Sequence, residues 1–336
     1  MTQAAIYGLE GFVMTDDERD FFRDADPSGF ILFRRNCESE QQLLALTDSL
    51  RALMGWDDVP ILIDQEGGRV ARMRPPVWPA FPPAERFSDL YRVAPSSAIE
   101  AVRSNARALA LMLRSCGINV NALPLLDVRQ EGATDIIGDR ALGSEPMQVA
   151  ALGRAVLDGM ASAGVIGIIK HIPGHGRALV DSHKELPIVP ASAEELEVDL
   201  EPFERLAKSP MGMTAHVVYE AWDPEVPASL SPIVIHDIIR ERIGFDGWLM
   251  SDDIGMEALQ GDFASRAGGV VAAGCDVALH CSGKMDEMIA VASAVPAISA
   301  EGQERLERAL ATIRQELAPL DFAAEISKRD QLLALA

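Results

Sequence analysis

Val165-Ile-Gly-Ile-Ile169 contains no polar residue and stops abruptly at Lys170-His171. A run this short and this apolar suits a strand covered on both faces, the habit of a parallel sheet. Seven comparable runs lie at Ala4–Leu9, Gly29–Phe33, Pro60–Ile63, Ile118–Asn121, Met211–Ala215, Trp248–Met250 and Asp276–Leu279. Helical patterns fill the intervals. Ile99, Val102, Ala106, Leu109 and Leu113 keep a helical period after Pro95-Ser96-Ser97. Val149, Leu152, Val156 and Met160 repeat it behind Ser144, the expected N-cap. Ser192 with Glu195 forms a capping-box pattern before Leu196 and Leu200, and Leu306, Leu310, Ile313 and Leu317 predict a C-terminal amphipathic helix. Strand–helix alternation repeated about eight times predicts an α/β fold of the (β/α)8 TIM-barrel type. A doubly wound open sheet is the alternative, but no Gly-x-Gly-x-x-Gly follows the first run. No repeat or composition break divides residues 1–336, so one domain is expected. The proline-rich segment Pro75–Pro83 reads as a rigid loop over one barrel face.

The 336 residues carry 30 Lys+Arg and 51 Asp+Glu, a formal net charge of −21. Hydrophobic residues make up 48% and charged residues 24%, a globular balance that argues against disorder. Such acidity excludes nucleic acid and an anionic membrane surface as expected partners, since both need clustered Lys and Arg. Four cysteines without a Cys-x-x-Cys pair are not a disulfide scaffold. The start shows no basic, then apolar, leader, and no uncharged apolar run approaches the roughly 18 residues of a membrane helix. The expectation is a soluble, cytoplasmic monomer.

The apolar runs end in polar groups. Asp64-Gln-Glu-Gly-Gly-Arg69 follows the third, Lys170-His171 the fifth, His216 the sixth, Ser251-Asp252-Asp253 the seventh and His280 the eighth. A barrel places its chemistry at the C-terminal ends of its strands, so these residues are expected to ring one mouth. The densest stretch, Lys170 to His183, holds three of the six histidines. Pro173-Gly174 and Gly176 forbid a helix there, which makes it a structured loop. Three readings stand side by side. His171, His175 and His183 could offer three imidazoles to a metal. Asp181 could orient His183 for proton transfer. Or the polar side chains only hold the loop together. Asp252, at a strand end, suits a nucleophile, base or ligand. Alternation along the strand would let only one of Asp252 and Asp253 face the axis, leaving the other to cap or pair elsewhere. Glu66 and Glu257 are further possible acids, the latter placed one turn into the next helix.

Together these segments resemble family 3 glycoside hydrolases, specifically the short, single-domain bacterial β-N-acetylglucosaminidases. The matching pieces are Gly29-Phe-Ile-Leu-Phe-Arg-Arg-Asn36, Asp64-Gln-Glu-Gly-Gly-Arg-Val70, Asn119-Val-Asn121 with Asp127-Val128, and Ile137-Gly-Asp-Arg140. Lys170-His-Ile-Pro-Gly-His-Gly176, Asp181-Ser-His183, Met213-Thr-Ala-His-Val217 and Ser251-Asp-Asp-Ile254 complete the series in family order. The resemblance implies exo-hydrolysis of terminal, non-reducing β-linked N-acetylglucosamine (GlcNAc) with retention. It implies GlcNAc-containing muropeptides of cell-wall recycling as substrates, and neither metal nor cofactor. Asp252 is then the nucleophile, His183 the proton donor and acceptor, and Asp181 the residue that orients it. Asp64, Arg72, Arg140, Lys170 and His171 match sugar-gripping positions, with Arg72 preferred to Arg69, while His175, His216 and Asp253 play supporting parts. Ile172 and Leu142 depart from aromatic residues common in the family without touching a polar group. Alternatives within the family are a β-glucosidase or xylosidase, or a phosphorylase of GlcNAc linkages; outside catalysis, a sugar-binding sensor on a barrel.

Overall fold

The computed structural model describes residues 2–130, 132, 136–180, 182 and 185–336. The first half runs β1 (Gln3–Gly8), α1 (Asp16–Ala25), β2 (Pro27–Leu32), α2 (Glu40–Met54), β3 (Ile61–Ile63), α3 (Glu85–Val93), α4 (Pro95–Ser115) and β4 (Val120–Asn121). Next come α5 (Pro146–Ser162), β5 (Ile166–Ile172), β6 (Ile188–Val189), α6 (Ala193–Arg205), β7 (Met211–Thr214) and β8 (Val218–Tyr219). A π-helical segment, Val234–Arg242, leads to β9 (Trp248–Asp253), α7 (Phe263–Ala273), β10 (Val277–His280), α8 (Met285–Ala294), α9 (Ala300–Ala311) and α10 (Phe322–Leu333).

Eight strands close into a barrel in the order β1-β10-β9-β7-β5-β4-β3-β2. All neighbours are parallel, as in Ile168 beside Met211 and Val120 beside Ile166. Every expected apolar run supplies one barrel strand, and the TIM-barrel reading holds. β5 is buried along its whole length, since helices cover it outside and other strands' side chains fill the barrel inside. β6 and β8 pair in a small separate sheet that no sequence pattern announced.

Local chemistry sets most helix starts. The capping box is present at α6, where Ser192 Oγ accepts from the Glu195 amide and Glu195 returns a bond to Ser192. At α5 the cap is Glu145 rather than Ser144, because Pro146 takes the first helical position, where its missing N–H is no loss. The C-terminal stripe is shorter than expected. Leu306 and Leu310 are buried on α9, but the helix ends at Ala311, so Ile313 and Leu317 lie beyond it. Beyond them, α10 packs back on α4, with Arg107 paired to Glu325 and Lys328 to Glu100. Glu257 sits in the turn between β9 and α7, not in a helix. Among the described residues no helix is long and apolar enough to cross a membrane.

Two loops at the C-terminal end depend on glycine. Gly67 and Gly68 hold φ of 102° and 56°, and the proline-rich loop leans on them, with the Gly68 amide donating to Phe81 O. Gly176 lies so close to the Val128 carbonyl that a Cβ has no room, which keys the loop after β5 to the loop after β4.

Candidate active site

The C-terminal ends of the strands surround a cavity of about 330 Å³, at the small end for ligand sites. Asp64, Arg72, Arg140, Lys170, His171, His175, Asp252 and Asp253 all line it, joined by Glu66, Arg69 and Phe33. The structure therefore gathers eight of the sequence-derived site residues around one cavity. Asp181 and His183 lie outside the described residues.

Its core is an ion-pair lattice. Lys170 Nζ, 2% exposed at the side chain, lies 2.7 Å from Glu66 Oε1 and 3.2 Å from Asp64 Oδ1. Arg140 grips Glu66 with two bonds of 2.8 Å, and Arg72 Nη2 reaches Asp64 Oδ2 at 3.2 Å. Burial alone would raise the Glu66 carboxyl, yet Lys170 and Arg140 overcome it and hold it down to about 2. Asp64 is held below the carboxylate range in the same way, burial being outweighed by Lys170 and Arg72. Lys170 is held above its usual value because Glu66 and Asp64 outweigh the cost of burying its charge. These groups are fixed in their ionised forms, which suits directed hydrogen bonds to hydroxyls.

Asp127 pins the neighbouring strand end. Its Oδ2 lies 2.8 Å from His171 Nδ1, and its Oδ1 accepts from the amides of His171 (3.2 Å) and His175 (2.6 Å). His171 thus keeps Nε2 for the cavity, with its ring oriented by a carboxylate. The His175 Nε2 lies 3.2 Å from Ser182 Oγ, and burial together with His171 pushes its pKa down to about 4. Among the described residues no group of three or more His, Cys, Asp and Glu is arranged to hold a metal ion.

β9 carries the carboxylate pair. Asp252 Oδ1 accepts from the Asp253 amide at 2.8 Å. Burial favours its neutral form, but His171, His216, that amide and Lys170 outweigh it, so the carboxyl stays below its ordinary value. An ionised, lightly hydrogen-bonded carboxylate on a cavity wall is suited to nucleophilic attack. Asp253 also borders the cavity because the strand ends there, a departure from strict alternation. Its Oδ1 turns back to cap the amides of Gly255 (2.9 Å) and Cys281 (3.2 Å), the capping role foreseen for the second carboxylate. Burial, with Asp252 alongside, pushes its pKa up to about 6.

His216 does not line the cavity. It lies beneath, its Nδ1 2.7 Å from Ser229 Oγ and its Nε2 3.0 Å from Asp253 O, so it braces the end of β9. His280 was expected at the mouth and is not there. Leu279 faces the cavity, so alternation turns His280 outward, where its Nε2 meets Glu287 at 3.2 Å and its ring packs edge-on against Tyr7 and Phe263. Sequence reasoning gave no role to Asp127 or Phe33 and left Glu66 only as a possible acid. Nothing local marks Asp127, whose partners lie 44 and 48 positions away.

A closed parallel barrel whose mouth combines a buried cation–carboxylate lattice with an ionised carboxylate at a strand end defines an enzyme for a small polar substrate. The chain belongs to glycosyl hydrolase family 3: the family's N-terminal domain model, "Glycosyl hydrolase family 3 N terminal domain", matches residues 2–315. It is a glycoside hydrolase. Curated relatives similar to it include a "Beta-hexosaminidase" of Alkalilimnicola ehrlichii, 40% identical over 82% of this chain and 79% of the relative. Another "Beta-hexosaminidase", from Chromobacterium violaceum, is 36% identical over 94% of this chain and 90% of its own. Among solved structures, NagZ from Neisseria gonorrhoeae superposes with a TM-score of 0.87 at 31% identity, covering 99% of this chain and 98% of that one. The same protein in complex with N-trifluoroacetyl-D-glucosamine gives 0.86 at 30% identity, with the same coverage.

Proposed function

We propose that this chain is an exo-acting, retaining β-N-acetylglucosaminidase that removes terminal, non-reducing β-linked GlcNAc. Its substrate class in this reading is GlcNAc joined to 1,6-anhydro-MurNAc, with or without peptide, released during cell-wall recycling. The reading takes the chain as a single catalytic domain, monomeric and cytoplasmic. The observation that carries it is the position of Asp252, an ionised carboxylate at a strand end on the wall of a cavity shared with Asp64, Arg72, Lys170 and His171. The hexosaminidase relatives and the glucosamine-derivative complex of NagZ support the choice of sugar.

In the first step Asp252 attacks the anomeric carbon and forms a glycosyl ester as the C1–oxygen bond breaks. His183 gives its proton to the departing oxygen, with Asp181 holding the imidazole in the right tautomer and supporting its charge. Water then attacks the same carbon, His183 takes a proton from it, and the carboxylate is regenerated. The parts of Asp181 and His183 rest on the match of Asp181-Ser-His183 to the family loop. Asp64, Arg72, Arg140, Lys170 and His171 grip the hydroxyls and acetamido group. Arg140 spends three N–H donors on Glu66 and Ile136 O, leaving two of its five for a ligand.

Trapping with a fluorinated, slowly turned-over GlcNAc donor tests the scheme. Mass spectrometry of the digest should place the label on Asp252, and NMR should show the β anomer as first product. A label elsewhere, or an α product, overturns it.

A further inference from the structure

We propose that Phe33 is a positioning residue for sugar binding, acting through Arg72. The inference rests on the reading of Arg72 as a sugar contact. Phe33 follows β2 directly and borders the cavity. Two guanidiniums lie over its ring: the Cζ of Arg72 at 4.8 Å from the centroid and that of Arg35 at 4.9 Å. The negative face of an aromatic ring attracts both cations and so tolerates two like charges near one side chain.

The ring is itself fixed. Arg35 Nε donates to Leu9 O (2.7 Å) and Nη2 to Cys281 O (2.5 Å), which ties it to the chain just past β1 and just past β10. The Phe33 amide donates to Asn36 Oδ1 at 2.8 Å, and Asn36 donates in turn to the carbonyls of Leu9 and Gly11. Arg72 is held far more lightly. Gln65 Oε1 accepts from its backbone amide, but its side chain makes one hydrogen bond, the 3.2 Å contact with Asp64. Its Nε is buried and has no hydrogen-bond partner among the described residues. A single bond from one terminal nitrogen leaves the plane of a guanidinium undetermined. A flat ring beneath it supplies the missing constraint and holds the remaining terminal N–H groups beside the cavity. An aliphatic side chain of equal volume would fill the wall without selecting that plane.

The test measures kcat and KM on p-nitrophenyl β-N-acetylglucosaminide, with thermal unfolding, for F33L, F33Y, R72M and the F33L/R72M pair. F33L should raise KM about tenfold with kcat within about twofold, because a contact made equally in ground and transition states is weakened. F33Y keeps the ring and should keep the native KM. In the R72M background, F33L should change KM by less than about twofold, since its route of action is gone. A native KM in F33L, or the same penalty repeated beside R72M, overturns the proposal. A native KM in R72M overturns the reading of Arg72 itself, and the proposal with it. If F33L does not fold, F33M is measured in its place. If neither folds, the ring is structural and the proposal falls.

Discussion

At the floor of the barrel, Asp276 accepts from Arg240 (3.0 Å), Arg305 (2.9 Å) and the Leu249 amide (2.8 Å). At the mouth, Glu66 accepts twice from Arg140 and once from Lys170 at 2.7 Å. Each is a buried acid with two cations, and charge alone does not separate them. The difference lies in which buried polar atoms are left without a partner. At the floor the same arginine also closes on backbone, Arg240 donating to the carbonyls of Phe245 and Gly247. At the mouth, Arg72 Nε and His175 Nδ1 have no hydrogen-bond partner among the described residues, and both residues border the cavity. No buried polar atom of Asp276, Arg240 or Arg305 is left without a partner among the described residues, which marks architecture; buried polar atoms left unpartnered beside a cavity mark a binding site.

The largest effect should separate the two ends by activity. Asp252→Asn should lower kcat by at least about 10⁴-fold while the unfolding midpoint moves by less than about 3 °C. A loss under about a hundredfold would break the assignment of chemistry to the mouth. Asp276→Asn should do the reverse. It strips the charge partner from Arg240 and Arg305 and should cost about 3 kcal/mol in urea unfolding. The kcat and KM of the folded enzyme should stay within about twofold of native. Reduced turnover at native stability would erase the distinction.

The smallest effect concerns acid. His175 titrates in the folded protein near 4, below its ordinary value, because burial and His171 disfavour its charge. The unfolded chain therefore binds the proton first, so stability is complete above about pH 6.5 and is lost as pH falls towards 4. Between pH 7 and 4.5 this group should account for about 2 kcal/mol of lost stability. His175→Gln should flatten that slope, whereas Asp276→Asn should keep it. Equal slopes in His175→Gln and the native chain would assign the acid sensitivity elsewhere.

Most of the barrel was legible because its strands are short, apolar and local. Val165–Ile169 announces β5 without help from anything distant. The strand ends were legible for the same reason, and five of them named candidates. What the sequence concealed depends on direction and on distance. His280 stands at a strand end like Lys170, yet one step of alternation turns it towards Glu287 and away from the cavity. Asp127 serves residues 44 and 48 positions along, and Glu66 meets Arg140 across 74. Only the closed barrel brings such pairs together. The reliance of Arg72 on an aromatic wall is hidden for the same reason, since Phe33 belongs to a different strand end.

The meeting of Gly176 with the Val128 carbonyl bears on how far this enzyme can be redesigned. Two adjoining loops are keyed at a point where one hydrogen atom is the largest admissible substituent. A graft from another barrel must therefore preserve that notch, and it must also restore Asp181 and His183, which follow Gly176 within seven residues. The root of this loop behaves as a fixed socket.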